Sequence, residues 1–127
     1  MSTFGKCIRE RRKALGPTQR QLASRVRFED GHSISAPYLN DIEHDLRKPP
    51  RAHLIEQFAQ ALSVNADLLV YLAGRLPQDI RDRDASHEEV VRACQVFRQR
   101  LARHGNGVER VLRHAVIEEV SSGLSSD

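Results

Sequence analysis

The stretch TQRQLASRVRFEDGHSISAPYLNDIEHDL, residues 18–46, decides how the chain is read. Thr18 is an N-cap residue type, and Gln21 stands three positions later, the spacing of a capping box. Leu22, Ala23 and Val26 give the helix that follows its apolar side. Phe28-Glu29-Asp30-Gly31 reads as a turn, because Asp-Gly favours positive φ. Ser35 is the next N-cap type, and Pro37 is tolerated in a first helical turn, where its missing N–H has no intrahelical partner. Leu39, Ile42 and Leu46 then recur at three and four residues, which predicts a further helix.

Working outward, Phe4, Ile8 and Leu15 mark a helical stripe that Gly16-Pro17 stops. On the other side, Pro49-Pro50 interrupts the helical pattern. A fourth helix carries Leu54, Ile55, Phe58, Ala61 and Leu62 on one face. Asn65 caps a fifth, with Leu68, Leu69 and Leu72, ending at Gly74. Arg75 to Ala85 is polar and reads as a linker with one turn of helix. Ser86-His87-Glu88-Glu89 matches a capping box and opens a long amphipathic helix with Val90, Cys94, Phe97 and Leu101 on one side. A last helix carries Val108, Val111, Leu112, Ala115 and Val116. The expected class is all-α: five N-terminal helices, then two C-terminal ones. The expected organisation is a domain over 1–76, a linker over 77–85, a C-terminal helical segment over 86–120 and a disordered tail over 121–127.

Composition narrows the function. Of the 127 residues, 39% are hydrophobic and 29% charged, enough for one modest core under a charged surface. Tryptophan is absent, and two Tyr and four Phe are too few for a β-sandwich or a binder that stacks single-stranded bases. The net charge of +3 is uneven: residues 1–51 carry +5 and residues 52–127 carry −2. A basic front half points to a polyanion, nucleic acid first. No apolar run is long enough for a membrane span, and the N-terminus has no signal-peptide core, so a cytoplasmic protein is expected. Cys7 and Cys94 stand alone and suggest no disulfide. The six histidines form no metal-ligand spacing, and no catalytic motif appears, so neither a metal, a cofactor nor an enzyme is expected.

Two short helices joined by a turn, with two more packed beneath, form a DNA-binding arrangement. Ile8-Arg9-Glu10-Arg11-Arg12, Gly16, Thr18-Gln19 and Leu22-Ala23 resemble the opening of a lambda-repressor-like (XRE-type) helix-turn-helix domain. Ser35-x-x-Tyr38-Leu39-Asn40-x-Ile42-Glu43 resembles its recognition helix. Arg47-Lys48-Pro49, the helix from Ala52 to Leu62 and Asn65-x-Asp67-Leu68-Leu69 complete the pattern over roughly residues 4–74. The resemblance implies sequence-specific binding of double-stranded DNA, usually by a homodimer on a two-fold operator and usually for repression.

Carried over by position, Ala36, Pro37, Asn40 and Asp41 would meet base edges. Ala36 and Pro37 suit a thymine methyl, Asn40 suits adenine, and Asp41 suits cytosine N4. Thr18 and Gln19 stand at a helix N-terminus that favours a phosphate. With Ser35, Tyr38, Arg47, Lys48 and Arg51 they would follow the DNA backbone. Arg12 and Glu43 are expected to pair, because the family packs the two helices that carry them.

The sequence departs from the family twice. The link between Ala23 and Ser35 is longer by several residues. It either lengthens helix two or forms a loop toward DNA, in which case Arg25, Arg27, His32 and Ser33 would make contacts. Helix three also lacks Lys and Arg but holds Asp41, Glu43 and Asp45, an electrostatic cost near phosphates. The leading expectation is therefore a repressor that dimerises through Val90, Cys94, Phe97, Leu101, Val108, Val111, Leu112 and Ala115. One rival is an antitoxin that binds a toxin and represses its own operon. Another is a protein-interaction adaptor that keeps the fold without binding DNA, favoured by the acidic third helix.

Overall fold

The structure, a computed structural model, describes residues 2–103. The chain divides into two units, Met1–Arg83 and Asp84–Asp127. The first holds α1 (Phe4–Leu15), α2 (Gln19–Arg25), α3 (Ala36–Glu43), α4 (Ala52–Leu62), α5 (Ala66–Leu72) and α6 (Gln78–Arg81); α7 (His87–Arg103) belongs to the second. The fold is all-α, with one isolated antiparallel bridge between Arg27 and Ser33 among the described residues.

Local chemistry sets the helix ends. Thr3, Thr18, Ser35 and Asn65 each accept a backbone N–H through the side chain at the start of α1, α2, α3 and α5. Thr18 and Gln21 form the full capping box, with Gln21 Oε1 accepting the Thr18 N–H at 2.9 Å. Gly16 ends α1 at φ 104°, which glycine adopts without a Cβ clash.

The core is the meeting of α1 to α5. Phe4, Ile8, Leu22, Val26, Leu39, Ile42, Ile55, Phe58, Leu62 and Leu69 are all buried, and Ile34 of the α2–α3 connection joins them. Phe4 meets Phe58 edge-on, with ring centroids 6.5 Å apart. Arg11 reaches from α1 to donate to the Leu62 carbonyl at 2.9 Å, supplying a partner to the C-terminal end of α4.

Three sequence expectations need correction. The third helix stops at Glu43 rather than running to Leu46, and Leu46 is exposed. Asp45 is the reason: it sits at φ 55°, and its carboxylate turns to α1, accepting from the Gly5 amide at 3.0 Å and the Thr3 hydroxyl at 2.6 Å. An acceptor charge at a helix N-terminus is favourable, so α3 breaks where its next residues cap α1. Gly5 is required there, because a Cβ would overlap the Ile42 carbonyl and the Asp45 carboxylate. Second, Leu15 lies beyond the buried part of its stripe and is exposed. Third, only Leu69 of the α5 apolar residues is fully buried, while Leu68 stays exposed.

The α2–α3 connection is a loop, not a longer α2. Val26 accepts from Ile34 N–H at 2.9 Å and Phe28 N–H donates to His32 at 2.8 Å, closing a small hairpin with Gly31 at φ 91°. In the second unit, Ser86 and Glu89 cap α7 reciprocally, at 3.1 and 3.3 Å. Val90, Cys94, Phe97 and Leu101 of α7 are exposed. Val108, Val111, Leu112 and Ala115, the last expected helix and the tail lie outside the described residues.

Candidate nucleic-acid interface

Helices α2 and α3 are joined through one polar network. Arg12 of α1 reaches Glu43 with both arms of its fork, Nε to Oε2 at 2.6 Å and Nη2 to Oε1 at 2.9 Å. Its remaining Nη1 donates to the Pro17 carbonyl at 3.1 Å, just before α2. Glu43 is the one fully buried charged residue among the described ones, 1% exposed. The hydrogen bond to Glu43 raises the Arg12 pKa further, against the opposing effect of burial, so the guanidinium stays charged. The pair thus fixes the angle between α1, the start of α2 and the end of α3.

Gln19 extends this network toward the outer face of α3. Its Nε2 donates to Glu43 Oε1 at 3.0 Å and to Asn40 Oδ1 at 3.1 Å, which occupies both amide hydrogens. The Gln19 side chain therefore acts as a brace between Glu43 and Asn40. Asn40 has its amide orientation set by Gln19, while its own NH2 remains a donor. Gln19 and Asn40, expected from the sequence as separate contacts to backbone and base, are hydrogen-bonded to each other.

A second chain of contacts runs over the other side of α3. Phe28 of the hairpin meets Tyr38 edge-on, with ring centroids 5.8 Å apart. Arg47 lies over the Tyr38 ring at 5.0 Å, and its Nε donates to Asp41 Oδ2 at 3.3 Å. All three carboxylates of the α3 region thus have internal partners: Asp41 has Arg47, Glu43 has Arg12, and Asp45 has Thr3 and Gly5. Glu43 and Asp41 thus each have a cationic partner, while the Asp45 carboxylate is hydrogen-bonded by uncharged groups and keeps its charge.

The other expected contacts are spread around these networks. Pro37 is exposed and Ala36 half-buried in the first turn of α3, where Ser35 caps the Tyr38 amide at 3.1 Å. Arg25, Lys48 and Arg51 are exposed. Arg27 is less free, since its Nη1 donates to Gly31 at 2.8 Å inside the hairpin. Its backbone is tied to α4 as well, through Gln57 Oε1 at 3.2 Å and the His53 ring at 3.1 Å. His32 faces Asp30 at 3.1 Å, and backbone and side-chain hydrogen bonds from His32 hold the Asp30 carboxyl below the usual range. The contact of Phe28 with Tyr38 and the bonds of Asp45 to Thr3 and Gly5 are not among the sequence expectations. A lone aromatic beside an Asp-Gly turn was the available sign of the first, and no local pattern marks the second.

Among the described residues no group of three His, Cys, Asp or Glu could hold a metal, and no helix is long and apolar enough to cross a membrane.

A family model described as a helix-turn-helix domain matches residues 3–72, spanning α1 to α5. Two uncharacterized HTH-type transcriptional regulators of Mycobacterium tuberculosis, from strains CDC 1551 / Oshkosh and ATCC 25618 / H37Rv, are each 40% identical over 72 residues. The match covers 57% of this chain and 46% of each relative, so the chain spans less than half the length of those proteins. No solved structure gives a significant match.

Proposed function

The chain belongs to the helix-turn-helix domain family, and from that premise we propose that it is a sequence-specific DNA-binding transcriptional regulator. In this reading α3 enters the major groove. The observation that carries it is the Gln19–Asn40 hydrogen bond, anchored on the buried Arg12–Glu43 pair. A base-reading amide discriminates only if its donor and acceptor are held in orientation, and this one is held from two neighbouring helices. Asn40 presents its NH2 to adenine N7 and the second lone pair of its oxygen to adenine N6. Ala36 and Pro37 meet thymine methyls, while Thr18, Ser35, Tyr38, Arg47, Lys48 and Arg51 follow the phosphates.

The pairing of Glu43 with Arg12 and of Asp41 with Arg47 lowers the electrostatic cost that favours the adaptor alternative. Repression is the mode that the XRE-type resemblance implies. A single helix-turn-helix covers few base pairs, so the reading includes a homodimer through the C-terminal helices, with half-sites about one helical turn, roughly 10–10.5 base pairs, or a multiple apart.

The test is selection of bound sequences from random DNA, followed by titration at several salt concentrations. A two-fold consensus with adenine at the Asn40 position supports the reading. No binding of any duplex at low salt would sink it. Lys48→Ala should weaken binding to the selected site and to random duplex alike and flatten the salt dependence by roughly 0.9 in log–log slope, as for one lost phosphate contact.

A further inference from the structure

A cleft of about 260 Å³ lies between the start of α4 and the α5–α6 segment, within the first unit. Arg51, Arg75 and Arg81 line it together with the apolar Ile55, Val70 and Leu76, and no carboxylate lines it. A concave surface carrying one sign of charge over low-dielectric walls focuses its field and attracts an opposite charge. Arg75 has a fixed role: its two terminal nitrogens donate to the Pro50 carbonyl at 2.7 Å and the Pro49 carbonyl at 3.1 Å. That ties the cleft to the loop after α3, at the residues directly between Lys48 and Arg51. Arg51 and Arg81 are exposed, and neither side chain makes a hydrogen bond or ion pair among the described residues.

We propose that this cleft seats a DNA backbone phosphate, with Arg51 and Arg81 as its direct donors and Arg75 as the positioning residue that sets the loop. The proposal rests on the DNA-binding reading above and extends it, because it carries the phosphate surface beyond the helix-turn-helix and its following loop to α6. Continuity with Arg47, Lys48 and Arg51 selects the backbone as occupant, and the planar guanidinium fork suits a phosphate's oxygens. Such a contact adds affinity without sequence preference.

The test compares full-length Arg81→Gln with Arg83→Gln, an equal loss of charge two residues away that does not line the cleft. Both are titrated with the selected operator and with random duplex between 50 and 200 mM salt. Arg81→Gln should weaken both duplexes alike and lower the log–log salt slope by about 0.9, so that the wild type loses about 3.5-fold more affinity across that range than the variant. Arg81→Lys should recover most of the slope. Arg81→Gln behaving as Arg83→Gln would overturn the proposal while leaving the DNA-binding reading in place. In parallel, inorganic phosphate is titrated without DNA, reading the Ala52 and Leu76 amides by NMR. Saturable shifts lost in Arg81→Gln, with the DNA slope unchanged, would also overturn it and make the cleft a site for a free anion. If the wild type binds no duplex, the reading fails with the proposal, a result distinct from a silent Arg81 in a protein that binds.

Discussion

Arg12 grips Glu43 at 2.6 and 2.9 Å across the α1–α3 contact, and Glu43 is buried to 1% exposure. Removing one partner leaves a charge without compensation, whereas removing both can be near neutral for stability. Arg12→Ala, which leaves the fully buried Glu43 carboxylate without its ion partner, should therefore cost about 3–5 kcal/mol in urea unfolding. The double variant Arg12→Met/Glu43→Leu should recover much of that loss. Its affinity for the selected operator should not recover, because Gln19 then has only Asn40 to hold it. A double variant that binds like wild type would deny the pair its orienting role.

Asn40→Ala should cost ~1–3 kcal/mol on the best operator and much less on random duplex, as expected when a base contact is lost. Gln19→Ala should reproduce part of that loss of discrimination, since Gln19 orients the Asn40 amide without itself reading a base. Equal losses on both duplexes would move Asn40 to a backbone or structural role.

Local rules made most of the helices legible. Thr18, Ser35, Asn65 and Ser86 each announce a helix start through a side-chain acceptor, and each cap forms where the spacing put it. The pairing of Arg12 with Glu43 was suggested only by the family pattern, since nothing local relates residues 31 positions apart. Leu46 shows where periodicity misleads. Its spacing continues the α3 stripe, but Asp45 leaves the helical region to cap α1, a long-range bond that no window of neighbouring residues contains. The hairpin was legible as a turn at Asp30-Gly31, yet its docking through Phe28 onto Tyr38 depends on where α3 lies.

That docking can be broken on its own. Phe28→Ala removes an edge-on ring pair worth about 0.5–1.5 kcal/mol beyond its buried area, a loss of that order in chemical unfolding. Tyr38 then loses its edge-on partner, and Arg47, stacked on Tyr38, is held less firmly, with its hydrogen bond to Asp41 remaining. DNA binding should weaken on selected and random duplex alike, because Tyr38 and Arg47 face the backbone in the proposed complex. Phe28→Tyr keeps the ring and should restore binding. A binding loss confined to the selected operator would instead assign the hairpin to base reading.

Asp30 gives the hairpin a pH signature. Hydrogen bonds from the His32 backbone and ring lower its pKa, so the carboxylate form is favoured in the folded state. The contribution is present above the unfolded carboxyl value and is lost as pH falls through the folded one, in the acid range. A side-chain carbon titration should place the Asp30 midpoint below that of an ordinary aspartate, and His32→Ala should move it upward. Because the carboxylate is fully exposed, the effect should appear in this local titration rather than in global unfolding.

The proposed homodimer rests on helix α7. Val90, Cys94, Phe97 and Leu101 follow helical spacing along its 17 residues and are exposed. An apolar stripe of this length is stabilised by burial, and a two-fold operator requires two recognition helices in one particle. The proposed homodimer satisfies both conditions if the C-terminal helices of two chains meet. Sedimentation equilibrium of the full chain should then show a dimer at micromolar concentration. A shortened chain ending near Gly74 should be monomeric and should bind a single half-site with the full chain's base preference but far lower affinity. Leu101→Glu in the full chain should weaken the dimer while leaving the N-terminal helices folded, as followed by the amide spectrum of α1 to α5. If the shortened chain dimerises as well as the full chain, the interface lies in the helix-turn-helix unit instead. If both are monomers on and off DNA, the two-fold operator is the wrong target.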